Sequence, residues 1–381
     1  MAENNIILTL TPNGMNFFIQ RNMKIFKFSN PEGGIEHGIS LNNFSPAFIQ
    51  KMLLEGYISK VEVTSAEFTS RRQEIIDLTK LIVYGVLYKQ FNSVIFNEKI
   101  IQSKLIKDHN HRNPSNVIDE RTQFDKRVLE SFLKENKDKS DFIKKSILSP
   151  ITVRLQADTS LNAEERKKKY FICERFLDYL FPKVWYVLIN FQASRDFVTL
   201  LADIRNCLVE YLEKTAVAEY LALMLIELLN YAQNKNIENF IRKRFSNTIN
   251  LQTLVADPNI RHKVLAEMEK QNEKLYITWK AVPLVSTTIE RNKLEVTVFN
   301  RESEYQKFKQ EIDDKKDLNL NKKNIVDFSK ETTDTLFNPE LGFLYISYLS
   351  EECKRVNIRF DSFVNQLSNS DFTVLTSILN F

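Results

Sequence analysis

Lys293-Leu294-Glu295-Val296-Thr297-Val298-Phe299 alternates strictly, so Leu294, Val296 and Val298 share one face of a strand. Working outward, Leu275 to Ala281 reads as the strand before it, and Phe343 to Arg355 as a helix following Gly342. Asn357–Phe363, with Ile358 and Phe360 on one face, and Asp371–Leu379 close the chain as a hairpin around Ser368-Asn369-Ser370. Upstream, apolar residues at helical spacing predict helices over 196–213 and 216–245. Asp257-Pro258 predicts the start of a third helix, over about 258–274, with Pro258 in its first turn. Helices followed by a mostly antiparallel sheet make residues 195–381 an α/β sandwich, one layer of helices on a mixed sheet.

The N-terminal part reads as a small α+β domain. Ile6–Leu10, Asn16–Ile19 and Lys24–Phe28 predict three short strands, the first two joined by a hairpin turn at Asn13-Gly14. Ser45-Pro46 opens a helix that Gly56 ends, Val61-Glu62-Val63 is another strand, and Arg71–Gln90 has a helical apolar face. Between these parts, the polar run Lys107–Pro114 predicts a loop. The mixed-charge run Lys134–Lys145 joins helical patterns, and Arg166–Lys169 lies at a helix start. The organisation expected is therefore α+β: a small domain over 1–100, a helical, charged connecting region over 101–194, and the sandwich over 195–381.

Composition narrows the function. The 381 residues carry 53 Lys+Arg against 49 Asp+Glu, a net charge of +4, too balanced for a dedicated nucleic-acid binder. Only 7 residues are Gly, and none lies between Val86 and Leu341. Neither G-x-G-x-x-G nor a P-loop pattern occurs, which excludes the ordinary Rossmann and Walker phosphate sites. Cys173, Cys207 and Cys353 form no C-x-x-C framework and predict reduced thiols in a cytoplasmic protein. The start of the chain lacks the basic and apolar regions of a signal peptide. The apolar run Leu221–Leu229 is interrupted by Glu227 and too short to span a bilayer.

Few residues suggest chemistry directly. His109-x-His111 before Arg112-Asn113-Pro114 superficially matches a nuclease or metal loop. The chain has 4 His, His37 and His262 being the others, and Cys is remote, so a solvated loop is the simpler reading. The runs Lys167–Lys169, Lys315-Lys316 and Lys322-Lys323 could touch phosphates, but each is diluted by neighbouring carboxylates.

Three stretches of the C-terminal half resemble the motifs of the histidine-kinase-like (GHKL, Bergerat-like) ATPases. Leu225–Gln233, centred on Glu227, resembles the helix with the family's N-box; Val296–Glu302 looks like the strand entering the first glycine box; Asn338–Ile346 looks like the second glycine box and its helix. The resemblance covers about residues 195–381 and implies a nucleotide pocket at Glu227, Asn300 and Gly342. Its motifs are eroded. Tyr231 stands where the family has a Mg²⁺-ligating Asn, and Asn230 is one residue out of register, about 100° around the helix. Asn300 replaces the adenine-reading Asp, while Glu302 and Glu340 replace glycines and bring negative charge where phosphates should pass.

The expectation is a cytoplasmic, non-catalytic regulatory or scaffolding protein acting on a protein partner, with no catalytic residue, no metal and no cofactor. The alternative is a divergent signalling protein, anti-sigma-type or histidine-kinase-like, that still binds ATP and Mg²⁺ through Glu227, Asn300 and Gly342. A nucleic-acid-binding regulator comes third. The resemblance also implies a mobile lid over Arg301–Asn338. There Tyr305, Phe308 and Ile312 make one narrow helical stripe in a charged surface segment, which could alternatively be a partner site.

Overall fold

In the computed structural model, β1 (Asn5–Leu10), β2 (Phe26–Ser29), β3 (Ile35–Leu41), β4 (Ile58–Ser65), β5 (Leu275–Val285), β6 (Glu290–Asn300), β7 (Arg359–Gln366) and β8 (Thr373–Asn380) form an 8-stranded sheet. The structure describes residues 5–29, 34–41, 45–244, 257–271, 273–285, 290–300, 340–366 and 373–381, together with 306, 309, 310 and 313. The expected lid, Arg301–Asn338, and the turn at Ser368-Asn369-Ser370 thus lie outside the described residues, apart from those four positions. The strand order is β2-β3-β1-β4-β5-β6-β8-β7. β1 pairs antiparallel with β3 and β4, β2 with β3, β4 with β5, and β8 with both β6 and β7. The sheet is therefore antiparallel where a mixed one was expected. Each of these hydrogen-bonded neighbours is antiparallel, yet β1 and β2, β3 and β4, and β6 and β7 each run parallel with one antiparallel strand between them. A helix (Pro12–Ile19, Pro46–Leu54 and Glu340–Arg355) lies in each of these three connections.

The described residues divide into two compact units, 1–86 with 216–284 and 292–381, and 87–215 with 285–291. This division replaces the expected boundaries at 100 and 195. The cause is the β4–β5 pairing, which places Val61 opposite Trp279 and Val63 opposite Ile277. All four side chains are at most 1% exposed. The strands expected to form a separate N-terminal domain instead extend the C-terminal sheet.

In the first unit, the α+β reading holds and the alternation of 293–299 is explained. Leu294, Val296 and Val298 are buried opposite Leu379, Ser377 and Leu375 of β8. The helices of this unit are α1 (Pro12–Ile19), α2 (Pro46–Leu54), the first part of α3 (Arg72–Val94), α10 (Ala216–Arg244), α11 (Pro258–Lys270) and α12 (Glu340–Arg355). Asp257 caps α11 by accepting from the N–H groups of Asn259 and Ile260, with Pro258 at the first position, as expected. α12 packs along α10 and against β7. Ile237, Phe240 and Ile241 of α10 bury a small cluster with Val264 and Met268 of α11.

One expected strand is a helix. Asn16–Ile19 belongs to α1, which starts at Pro12 after the N-cap Thr11. The Thr11 hydroxyl accepts from the N–H of Gly14 and donates to the carbonyl of Gly56 at 2.6 Å. Thr-Pro at a helix start outweighs Asn-Gly as a turn signal here, because the Thr11 hydroxyl both caps α1, through Gly14, and ties it to the end of α2, through Gly56. Gly14 serves close approach: a Cβ there would lie 1.8 Å from the Tyr57 carbonyl oxygen. Gly56, at φ 72°, ends α2 as expected.

The second unit is helical: the end of α3, a π turn at Ile95–Ile100, then α4 (Lys104–Arg112), α5 (Lys126–Glu135), α6 (Lys137–Ala157), α7 (Ala163–Asp178), α8 (Pro182–Asn190) and α9 (Phe197–Lys214). Its core stacks Tyr88, Phe176 and Tyr211, with Tyr88–Tyr211 centroids 5.5 Å apart and Phe176–Tyr211 4.6 Å. Burial pushes the Tyr88 phenol up to about 12. The Asn92 amide fastens this core, donating to the carbonyls of Tyr88 and Tyr179 and accepting from the N–H of Phe181. The expected loop 107–114 is instead mostly α4, N-capped by Ser103. Residues Phe197–Arg244 include a stretch apolar and long enough to cross a membrane, wider than the run Leu221–Leu229; 61% of it is buried within the protein.

Two outcomes follow. A fragment of residues 195–381 lacks β4, so it should show no cooperative urea transition, whereas the full chain should; a monomeric, cooperatively unfolding fragment would contradict the pairing argument. Gly14→Ala should lower stability by about 1–3 kcal/mol, although helix propensity alone favours Ala by about 1 kcal/mol. The urea midpoint gives the sign.

Candidate functional site

α10 carries three polar residues at a spacing of three, Glu227, Asn230 and Gln233, and each reaches the segment leading from β4 into α3. Glu227 Oε1 lies 3.3 Å from Arg72 Nη2. Asn230 Oδ1 lies 3.3 Å from the Thr69 hydroxyl. Gln233 Oε1 accepts from the Phe68 N–H at 2.8 Å and faces the Thr69 hydroxyl at 3.4 Å. Residues three apart on a helix lie about 60° from one another, which gives one face. Asn230 therefore lies on the same side of α10 as Glu227, reaching the same segment. Two turns earlier, Glu219 pairs with Lys80 at 2.5 Å, so charged pairs join α10 to α3 at both levels.

The two other pocket candidates are placed by backbone alone. Gly342 lies in the first turn of α12, one turn before Tyr345, and α12 packs against α10. Asn300 ends β6 in register with Thr373 of β8. The Tyr345 phenol is raised by burial and by the charge of Glu227, while Arg72 acts the other way, so α12 and Glu227 share a neighbourhood. Tyr231, at the expected metal-ligand position, has the Lys235 ammonium 5.8 Å from its ring centroid.

This geometry provides a clamp and little acid–base chemistry. The Glu227 carboxylate is engaged by a guanidinium, and Asn230 and Gln233 hold backbone and a hydroxyl. Arg261 of α11 adds a 3.0 Å hydrogen bond to Asn234 Oδ1; burial lowers its guanidinium pKa and Glu67 opposes that. Among the described residues, no group of three His, Cys, Asp or Glu could hold a metal ion. The His109 ring has Nε2 3.3 Å from the Asn116 carbonyl and Nδ1 3.3 Å from the Asn113 amide, which accounts for both nitrogens structurally. Cys173, Cys207 and Cys353 are buried and free, their thiols pushed by burial up to about 12, 11 and 12. Such thiols are protonated at neutral pH and poor nucleophiles.

The buried Gln233 bond and the more open Glu227 pair differ in what they contribute. Gln233→Leu should destabilise by about 1–3 kcal/mol, because it leaves a buried N–H without an acceptor. Glu227→Gln should cost at most about 1 kcal/mol, since the Arg72 side chain is 48% exposed. Urea denaturation of the two variants checks the order.

Comparison with known proteins gives a family without an assigned activity. The model of DUF8084, described as a family of unknown function, matches residues 3–381. A Treponema pallidum (strain Nichols) protein, described as uncharacterized, is 37% identical over 375 residues, which are 98% of this chain and 96% of the relative. No solved structure matches. The match runs through both structural units, so the helical unit is as much a part of this architecture as the sheet, and the chain belongs to the DUF8084 family.

Proposed function

We propose that this protein is a non-catalytic regulatory or scaffolding protein that acts by binding another protein, on a degenerate GHKL-like arrangement in its C-terminal half. The observation that carries the reading is the engagement of Glu227 by Arg72. In the family that the N-box stretch resembles, that carboxylate serves nucleotide chemistry. Here a guanidinium occupies it, and its helical neighbours Asn230 and Gln233 are committed to the β4–α3 segment. Tyr231 offers no hard metal ligand in place of the expected Asn. The order α10, α11, β5, β6, α12, β7, β8 supports the resemblance; the antiparallel sheet shared with β1–β4 is its main departure. Free, buried cysteines fit a reducing compartment, so a cytoplasmic location belongs to the same proposal.

One observation favours the alternative of an ATP-binding signalling protein: the first turns of α12, with Gly342, lie along α10 beside Glu227. Calorimetry of the full chain with millimolar Mg-ATP separates the readings. No saturable heat is expected. A micromolar dissociation constant, about −8 kcal/mol, would overturn the non-catalytic reading in favour of the alternative.

A further inference from the structure

Beside the Arg72–Glu227 pair, α10 and α12 present three partly exposed tyrosines. Ile346, Leu349 and Cys353 occupy the core side of α12 and are fully buried. Tyr345 and Tyr348 take another side of that helix and are partly exposed, with ring centroids 6.4 Å apart and planes at 54°. Tyr220 of α10, also partly exposed, acts electrostatically on both phenols. Glu227 acts on Tyr345, and Glu351, one turn on from Tyr348, acts on Tyr348. Tyr345, Tyr348 and Glu351 follow one another at a spacing of three along α12, which gives one face. Arg72 is paired with Glu227, while Glu351 is exposed and has no ion pair among the described residues.

The balance of charge selects the ligand. Aromatic faces are negative, and a cation over them gains from the ring quadrupole. Adjacent carboxylates strengthen that field, repel anions, and would be desolvated at a cost by an apolar group. We infer that Tyr345 and Tyr348, with Glu351 on the same helix face and Tyr220 on the helix packed against it, form a receptor for a cationic group, the ammonium or guanidinium of a Lys or Arg side chain on a protein partner. The inference rests on the protein-binding reading and names the chemistry the partner presents. Burial raises the phenols of Tyr345 and Tyr348, and the neighbouring carboxylates raise them further, consistent with a negative field at the hydroxyls. The Arg72 guanidinium, paired with Glu227, opposes this at Tyr345.

The test is a titration of the full chain, followed by tyrosine NMR signals, with N-acetyl-lysine methylamide and N-acetyl-arginine methylamide. The norleucine analogue is the neutral isostere and the glutamate analogue the anionic control; tetramethylammonium, a free cation without peptide groups, separates a small-molecule source from a peptide one. Saturable millimolar binding of the lysine or arginine probe is expected, with the norleucine and glutamate probes inert and tetramethylammonium weaker. Tyr348→Ala and Glu351→Gln should each weaken binding by about threefold. Tyr348→Phe, which keeps the ring, should stay within about twofold of the parent chain. Equal binding of norleucine, preference for glutamate, binding untouched in the Tyr345→Ala/Tyr348→Ala variant, or no binding of any probe would each overturn the receptor. Preference for tetramethylammonium over both peptide probes would overturn its assignment to a protein partner. Failure here leaves the Mg-ATP result readable on its own, so the two proposals fail separately.

Discussion

The pairing of β4 with β5 is the constraint on which the rest of the first unit depends. Six residues, Lys60–Ser65, run antiparallel to Leu275–Lys280, and the pairs Val61–Trp279 and Val63–Ile277 are buried. The pairing makes one sheet from strands at the two ends of the chain. It also closes a loop that contains residues 87–215 of the helical unit together with α10 and α11. Closing so long a loop costs entropy before any contact rewards it, which makes this junction slow to form and dependent on strong local burial. The register supplies that burial, because a slip of one residue would turn Val61, Val63, Ile277 and Trp279 to the opposite face.

Once β4 is fixed, the segment that follows it is fixed too. Ser65 Oγ bonds the Glu67 carbonyl and receives its N–H, which turns the chain towards Phe68. Gln233 then takes the Phe68 N–H, and α3 starts beside α10. Arg72 and Lys80 meet Glu227 and Glu219 two turns apart, so the helix pair is aligned by charges on its rim and by apolar residues beneath. The exposed pairs add little stability, and their value lies in alignment. In that alignment Glu227 becomes a structural ion-pair partner, and the functional question moves from α10's carboxylate to the tyrosines beside it.

The helical unit shows a different economy of polar groups. Asn92 satisfies two carbonyls and one N–H from a buried position, so three backbone groups at the end of α7 and along α3 are accounted for by one side chain. The rings of Tyr88, Phe91, Phe176 and Tyr211 fill the space around it. The thiols of Cys173 and Cys207 in this unit are buried, and the His109 ring is hydrogen-bonded within it, so these groups serve packing.

The sequence by itself determined the α+β class and the elements with a strong local signature. Leu294, Val296 and Val298 mark β6, Asp257-Pro258 starts α11, and Gly56 ends α2. These signals are local: a period, a cap, a positive φ. Candidate site residues were legible only as types, because Glu227 can be recognised in a motif while its partner, Arg72, lies in another part of the sequence. The spacing of three that puts Asn230 and Gln233 beside Glu227 gains its meaning only from Phe68 and Thr69, which the fold brings to it. The tertiary structure alone decided that Asn16–Ile19 is helical, through the bonds from Thr11 to the end of α2. It alone joined β4 to β5, and it alone gave Glu227 a guanidinium. Periodicity reports which face of an element is buried and carries no information about the element that buries it, and that partner sets both the domain boundary and the chemistry of the site.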